Sequence, residues 1–219
     1  ATVVSVAGTL IPTINAGTVS DPSGNTNTVS TSTDNTVTYD TTAPTLTINQ
    51  SVSETVGTCV FTAQADPASS LPVEYRATFS EPIDDSTFTA ADVDESGSAT
   101  GVTFTVTNCG DDTNYSIKAT VVGGDGYVIP EVAITKVTDV AGNANAASTS
   151  TDNSVLYDSG GPTVTINQSV SETIGTCVFP AQVDPANTLP IEYKAVFSEA
   201  IIPATFVAAD LNESGDATG

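Results

Sequence analysis

Apolar residues recur at every second position in short runs along this chain, and clusters of small polar residues break each run. TLTIN (45–49), VEYRATFS (73–80), GVTFTVT (101–107), YSIKATVV (115–122), VAITKV (132–137) and SVLYD (154–158) alternate as strands do when one face is buried. Val, Ile and Thr dominate these runs, and their branched side chains suit a pleated surface. Gly, Asp, Asn, Ser and Pro fill the intervals and supply turn chemistry. TFTAADV (87–93) reads either as a shorter strand or as a single helical turn. No stretch carries the period of an amphipathic helix. The pattern predicts an all-β fold of antiparallel strands, with Ile48, Tyr75, Phe79, Phe104, Ile117 and Ile134 turned to the core.

The pattern also repeats. VTDVAGNANAASTSTDN (137–153) has a near twin in VSDPSGNTNTVSTSTDN (19–35), 118 residues earlier. At the same offset TVTYDTTAPTLTINQSVSETVGTCVF (36–61) recurs as SVLYDSGGPTVTINQSVSETIGTCVF (154–179), and GTLIP (8–12) aligns with GYVIP (126–130). About two thirds of positions 41–101 are identical to 159–219. The expected organisation is the C-terminal part of one repeat (1–40), a complete repeat (41–158) and the N-terminal part of a third (159–219). A unit of this length is domain-sized rather than a solenoid turn. About seven strands per unit predict tandem antiparallel immunoglobulin-like β-sandwiches, arranged as beads on a string.

FSEP (79–82), FTAADV (88–93), VTDVAGNANAASTSTDN and YDTTAPT (39–45) also resemble, in kind and order, the bacterial immunoglobulin-like repeats of large secreted adhesins and surface fibres. The resemblance covers nearly all of each repeat. It implies an extracellular, extended stalk at the cell surface, of a kind often stiffened by calcium. SVSETVGTCVFTAQ (51–64) departs from that pattern. It reads as an insertion whose cysteine the family does not share, and it leaves the partner of the first strand open.

Charge narrows the function. There are 26 acidic and 4 basic residues, with no His, for a net charge of −22. Phosphate binding needs clustered Lys or Arg, so neither nucleic acid nor an anionic membrane is an expected direct partner. No apolar run is long enough to span a bilayer, and no signal peptide opens the chain, which reads as an internal piece of a longer protein. Without His, serine and cysteine triads lack their usual base, and no phosphate-binding loop is present. No enzymatic activity is expected.

Cys59 and Cys109 share a repeat, and Cys177 matches Cys59 in the next one, where a mate would lie beyond the end of the sequence. A reactive thiol lacks a basic neighbour here. An intradomain Cys59–Cys109 disulfide is expected, with an interchain link as the alternative. It would favour an oxidising, extracellular compartment.

Positions 41–158 hold 16 acidic and 3 basic residues, a net of −13. Alternating strands would bring the loop with Glu81, the CGDDTN turn (109–114) and the loop from Asp139 to Asp152 to one end, beside the entering linker. Asp40, Glu81, Asp139, Asn143 and Asn145 would then form an all-oxygen ligand set suited to calcium. Asp158 and Glu199 repeat the first two at the next joint; Asp21, Asn25 and Asn27 repeat the last three in the preceding copy. Asp84 and Asp85 become Ile202 and Pro203, so neither is expected as a ligand. A second candidate pair is Asp66 with Asp125. The competing reading is that these Asp, Asn and Gly residues only make turns.

NQS, NYS and NES triplets permit N-glycosylation, and TNTVSTSTDNTVT (26–38) permits O-glycans. Nothing in the spacing of Lys118 or Lys136 demands an isopeptide crosslink. Three roles therefore stand: a calcium-stiffened, disulfide-stabilised stalk whose partners are neighbouring repeats; a module binding a glycan or host receptor; and a subunit associating with other copies in a fibre. The short linkers DTTAP and DSGGP limit swing between beads in any of them.

Overall fold

The structure is a computed structural model that describes residues 6–216; the extreme ends of the two outer segments, 1–5 and 217–219, lie outside the described residues. It is all-β with antiparallel sheets, and the helical elements among the described residues are short 3-10 turns. The chain divides into two compact units after Ser159.

The first unit opens with an antiparallel pair, β1 (Gly8–Leu10) and β2 (Val37–Tyr39). Its main body follows: β3 (Leu46–Gln50), β4 (Glu54–Val56), β5 (Cys59–Phe61), β6 (Val73–Phe79), β7 (Asp94–Glu95), β8 (Thr103–Asn108), β9 (Asn114–Val121), β10 (Gly126–Val128), β11 (Pro130–Glu131) and β12 (Val155–Tyr157). Four of these form one antiparallel sheet in the order β3-β6-β9-β8. The short pairs β10–β12 and β7–β11 supply a second layer. Between them lies a core that includes Leu46, Ile48, Tyr75, Phe79, Phe104 and Ile117 from the large sheet. Val128, Val132, Val137 and Val155 meet them from the other side. Tyr75 is fully buried, and its hydroxyl donates to the Val128 carbonyl at 2.7 Å, so no polar atom is orphaned there.

One expectation changes, and one left open is settled. VAITKV is not a strand, and Ile134 is 63% exposed. The segment turns at Ile134 and Thr135, the latter at φ 65°, and buries Val132 and Val137 instead. The backbone N–H groups of Lys136 and Val137 donate to the Asn145 side chain, at 2.9 Å each, and need no ladder partner. TFTAADV resolves into 3-10 turns, Asp85–Thr87 and Ala90–Asp92, around a buried Phe88. Phe88, Phe79 and Tyr115 stack edge to face with centroids 5.0–5.7 Å apart and anchor these turns to the sheet.

Residues 51–64 have a structural job. β4 and β5 form a hairpin lying on the outer face of the large sheet. Cys59 and Phe61 pack there with Cys109, and a Cys59–Cys109 disulfide closes across a sequence separation of 50. Gly57 sits at the hairpin turn at φ 56°, where an added Cβ would meet the Cys109 carbonyl oxygen. Glu54 accepts from Arg76 at 2.9 Å, while Glu74 accepts from Ser116 at 3.0 Å and pairs with Lys118. This cover explains why Glu74 and Ser116, on the outward face of their strands, are each only 5% exposed.

The second unit holds β13 (Val164–Gln168) paired with β16 (Tyr193–Phe197), and the hairpin β14 (Glu172–Ile174) with β15 (Cys177–Phe179). Three strands start 118 residues after their counterparts, 46 and 164, 54 and 172, 59 and 177, and the fourth ends at that spacing, 79 and 197. The cis peptides before Pro67 and Pro72 recur before Pro185 and Pro190 at that spacing. Ile166 is 52% exposed where its counterpart Ile48 is buried, and among the described residues of this unit no strand corresponds to β8–β12. Cys177 is an exposed thiol.

Candidate metal site at the entrance of the central domain

Three segments converge where the chain enters the main body of the first unit. Ile83 bridges Asp139, the Asp84 N–H donates to the Thr138 carbonyl at 2.9 Å, and the Ile83 N–H donates to the Asp112 carbonyl at 2.9 Å. Pairing of Ile83 with Asp139 carries Glu81 and the 138–145 loop to the same place. The linker joins them through Asn143, whose amide nitrogen donates to the Asp40 carbonyl at 3.3 Å. One carboxylate oxygen from each of Asp40, Glu81 and Asp139 then lies within 4.8 Å of the other two. The same three side chains line a concavity with Thr38, Pro82, Val140 and Ala141.

Each acid is held differently. Asp139 is 4% exposed and ties its own loop: Oδ1 accepts from the Asn143 N–H and Oδ2 from the Asn143 side-chain amide, both at 2.8 Å. Burial pushes the Asp139 carboxyl up, but these donors and the nearby backbone N–H groups outweigh it and hold it below its ordinary range. Glu81 goes the other way. Burial, then the charges of Asp40 and Asp139, raise it. The three ion pairs among the described residues, Arg76–Glu54, Lys118–Glu74 and Lys194–Glu172, all lie elsewhere. The cluster is therefore a concentration of negative charge that forms no ion pair among the described residues.

The donor set suits a hard cation. Oxygens on opposite sides of a calcium ion are about 4.6–5.2 Å apart at its usual bond lengths, whereas magnesium needs about 4.0–4.2 Å and near-octahedral order. Separations up to 4.8 Å fit within the larger shell. Asp139 keeps a lone pair on each oxygen after its loop bonds, so the turn role and a ligand role are compatible.

The remaining sequence candidates are placed otherwise. Asn145 is 1% exposed and its side chain is spent on structure: Oδ1 accepts from Lys136 and Val137, and Nδ2 donates to the Ala133 and Ala146 carbonyls. Asp21, Asn25 and Asn27 reproduce that loop: Asp21 accepts from the Asn25 N–H and amide, and Asn27 accepts from Thr18 and Val19. Among the described residues this loop forms without converging carboxylates, and turn-making accounts for both Asn145 and Asn27. Asp66 accepts from the Leu156 N–H at 2.9 Å, and Asp125 accepts from the Ser159 N–H and hydroxyl, so both fasten the chain near its exit. Asp84 accepts from Ser86, and Asp85 from Asn108. Asp158 lies in the first unit and Glu199, exposed, in the second. The role of Glu74 under the hairpin went unread in the sequence, although Glu54, Val56, Cys59 and Phe61 around the Gly57 turn carry a hairpin's inward alternation. Comparison with known protein families, curated proteins and solved structures finds no match for this chain.

Proposed function

We propose that this chain is a run of tandem immunoglobulin-like β-sandwich domains without enzymatic activity, forming part of an extracellular stalk or filament of a bacterial surface adhesin. Calcium at the joint ahead of each domain stiffens the run, and a disulfide braces the domain. The observation that carries this reading is the meeting of Asp40, from the linker, with Glu81 and Asp139, from two loops of the next domain. A cation held by all three ties a domain to the chain that precedes it. The strands that recur 118 residues apart, such as Leu46–Gln50 and Val164–Gln168, support tandem units. The disulfide is compatible with an oxidising environment, and among the described residues no helix is long and apolar enough to cross a membrane.

The test is mobility at the joint. Spin labels placed on the 1–40 segment and on the central domain are expected to give a narrower distance distribution in calcium than in EDTA. Identical distributions in the two conditions would end the calcium-stiffened reading.

A further inference from the structure

The central domain begins and ends in two segments that run side by side in the same direction. Thr47 and Thr149 form a parallel bridge. Along it the Ala146 N–H donates to the Pro44 carbonyl at 3.1 Å, Thr149 to Leu46 at 2.9 Å, Ile48 to Thr149 at 2.9 Å and Gln50 to Asp152 at 2.7 Å. Asn49 Oδ1 adds a second row, accepting from the N–H groups of Thr151 and Asp152 at 3.0 and 2.9 Å and from the Ser150 hydroxyl at 3.2 Å. The Gln50 amide donates to the Asp152 carboxylate at 2.6 Å.

Direction matters under tension. The chain enters at the Pro44 end of this pair and leaves beyond Asp152, at its opposite end. Pulling the termini apart slides the two segments past each other and loads all these bonds together, whereas an antiparallel pair would open one bond at a time. Fifteen or so residues further in, the Cys59–Cys109 bond offers a second load path. It connects β5 directly to the turn that starts β9, bypassing β6, β7 and β8.

We infer that this domain is built to carry tension: the parallel clamp of 44–50 on 146–152, loaded together with β12 and its parallel bridge to Ala68, yields first, and the disulfide then shunts the load past residues 60–108. Once the clamp slips, force reaches Cys59 and crosses to Cys109. The bypassed loop holds the central strand β6 and most of the core aromatics, and it stays slack. This deepens the stalk reading and rests on it for its biological meaning, but the mechanics need no calcium.

The experiment is single-molecule pulling of the full 219-residue chain through terminal tags, in EDTA, so that failure of the calcium reading leaves it untouched. In the oxidised chain the central domain is expected to release less length than in chain reduced with dithiothreitol. A loop spanning a separation of 50 residues accounts for a difference of about 165–180 Å. With dithiothreitol added only during pulling, that extra length is expected as a separate step after clamp rupture, when the buried sulfurs become reachable. The disulfide is then reduced to two thiols while the reagent closes to its cyclic disulfide. Asn49→Ala is expected to lower the first rupture force, and Glu54→Gln, which breaks the hairpin ion pair outside the clamp, to leave it unchanged. If Asn49→Ala does not fold, Gln50→Leu takes its place with the same expectation. Equal release lengths in oxidised and reduced chains overturn the inference. So does an extra step preceding the first rupture, or a rupture force that the clamp variants leave unchanged or that Glu54→Gln lowers as much.

Discussion

Replacing Glu81 with Gln tests the joint through the sign of its effect. With no cation bound, Glu81 faces Asp40 and Asp139 with carboxylate oxygens within 4.8 Å. Each pair repels by about 1 kcal/mol in bulk water and about 3.5 kcal/mol at an effective dielectric of 20. Glu81 and Asp40 are partly exposed, so screening keeps the net effect near the lower figure. Glu81→Gln keeps the shape and removes the charge, and should stabilise the cation-free domain by about 1–2 kcal/mol, a Tm rise of roughly 3–10 °C. In calcium the sign inverts. The parent gains about 2.7 kcal/mol at a hundredfold excess over Kd, and a variant lacking a charged ligand gains less. The pH dependence follows from the same cause. Because Glu81 is raised in the fold, the unfolded chain releases this proton first, and stability falls as pH climbs from the ordinary 4.5 through the raised value. Asp139, being lowered, contributes in the opposite sense, but it is common to both proteins and cancels in their difference. Calorimetry of parent and variant in EDTA and in calcium, across the acidic to neutral range, reads all three effects. A Gln variant less stable than its parent in EDTA as well as in calcium refutes the reasoning.

Three further outcomes follow from the structure. Replacing Cys59 and Cys109 with Ser should lower stability by about 4 kcal/mol, the chain-entropy value for a loop of 50 residues, read as a shifted urea midpoint; no shift would mean the hairpin holds without its bond. Asn145→Ala strips the acceptor from two backbone N–H groups, one of them on fully buried Val137, and should cost about 2–4 kcal/mol equally with and without calcium. A calcium-dependent loss would return Asn145 to the ligand set. Burial alone would raise Asp111, but the Asn114 amide and the Asn114 and Thr113 N–H groups dominate and hold it at about 2. Its contribution is therefore present above the ordinary 3.8 and lost as pH falls through about 2, so Asp111→Asn should destabilise at neutral pH and match the parent near pH 2. A gap that persists there contradicts this.

The strands that could be read in advance were those whose alternation reflects burial on one face, such as VEYRATFS around Tyr75 and Phe79 and YSIKATVV around Tyr115 and Ile117. VAITKV misled because the Asn145 side chain, eight and nine residues further on, satisfies its backbone in place of a pairing strand. Alternation alone does not tell a ladder from a loop closed by a side chain. Asp139 and Glu81 could be paired from strand order alone, since antiparallel strands return their loops to alternate ends. Asn143 and Asn145 could not be told apart. Both follow Asp139 in a glycine turn, yet one touches the linker and the other is enclosed by its own loop. The polar clamp of Asn49 on 150–152 was equally hidden, because its two halves lie more than 100 residues apart and each reads as ordinary strand and loop.

Isothermal titration with calcium, on the metal-stripped chain and on Asp139→Asn, bears most directly on the joint. Asp139 is the buried member of the three carboxylates, and its amide replacement keeps one acceptor for the Asn143 donors while removing the charge. The account predicts saturable binding to the parent chain that is lost or weakened at least tenfold in the variant, about 1.4 kcal/mol or more. Absence of calcium binding to the parent, or binding that Asp139→Asn leaves unchanged, would contradict it.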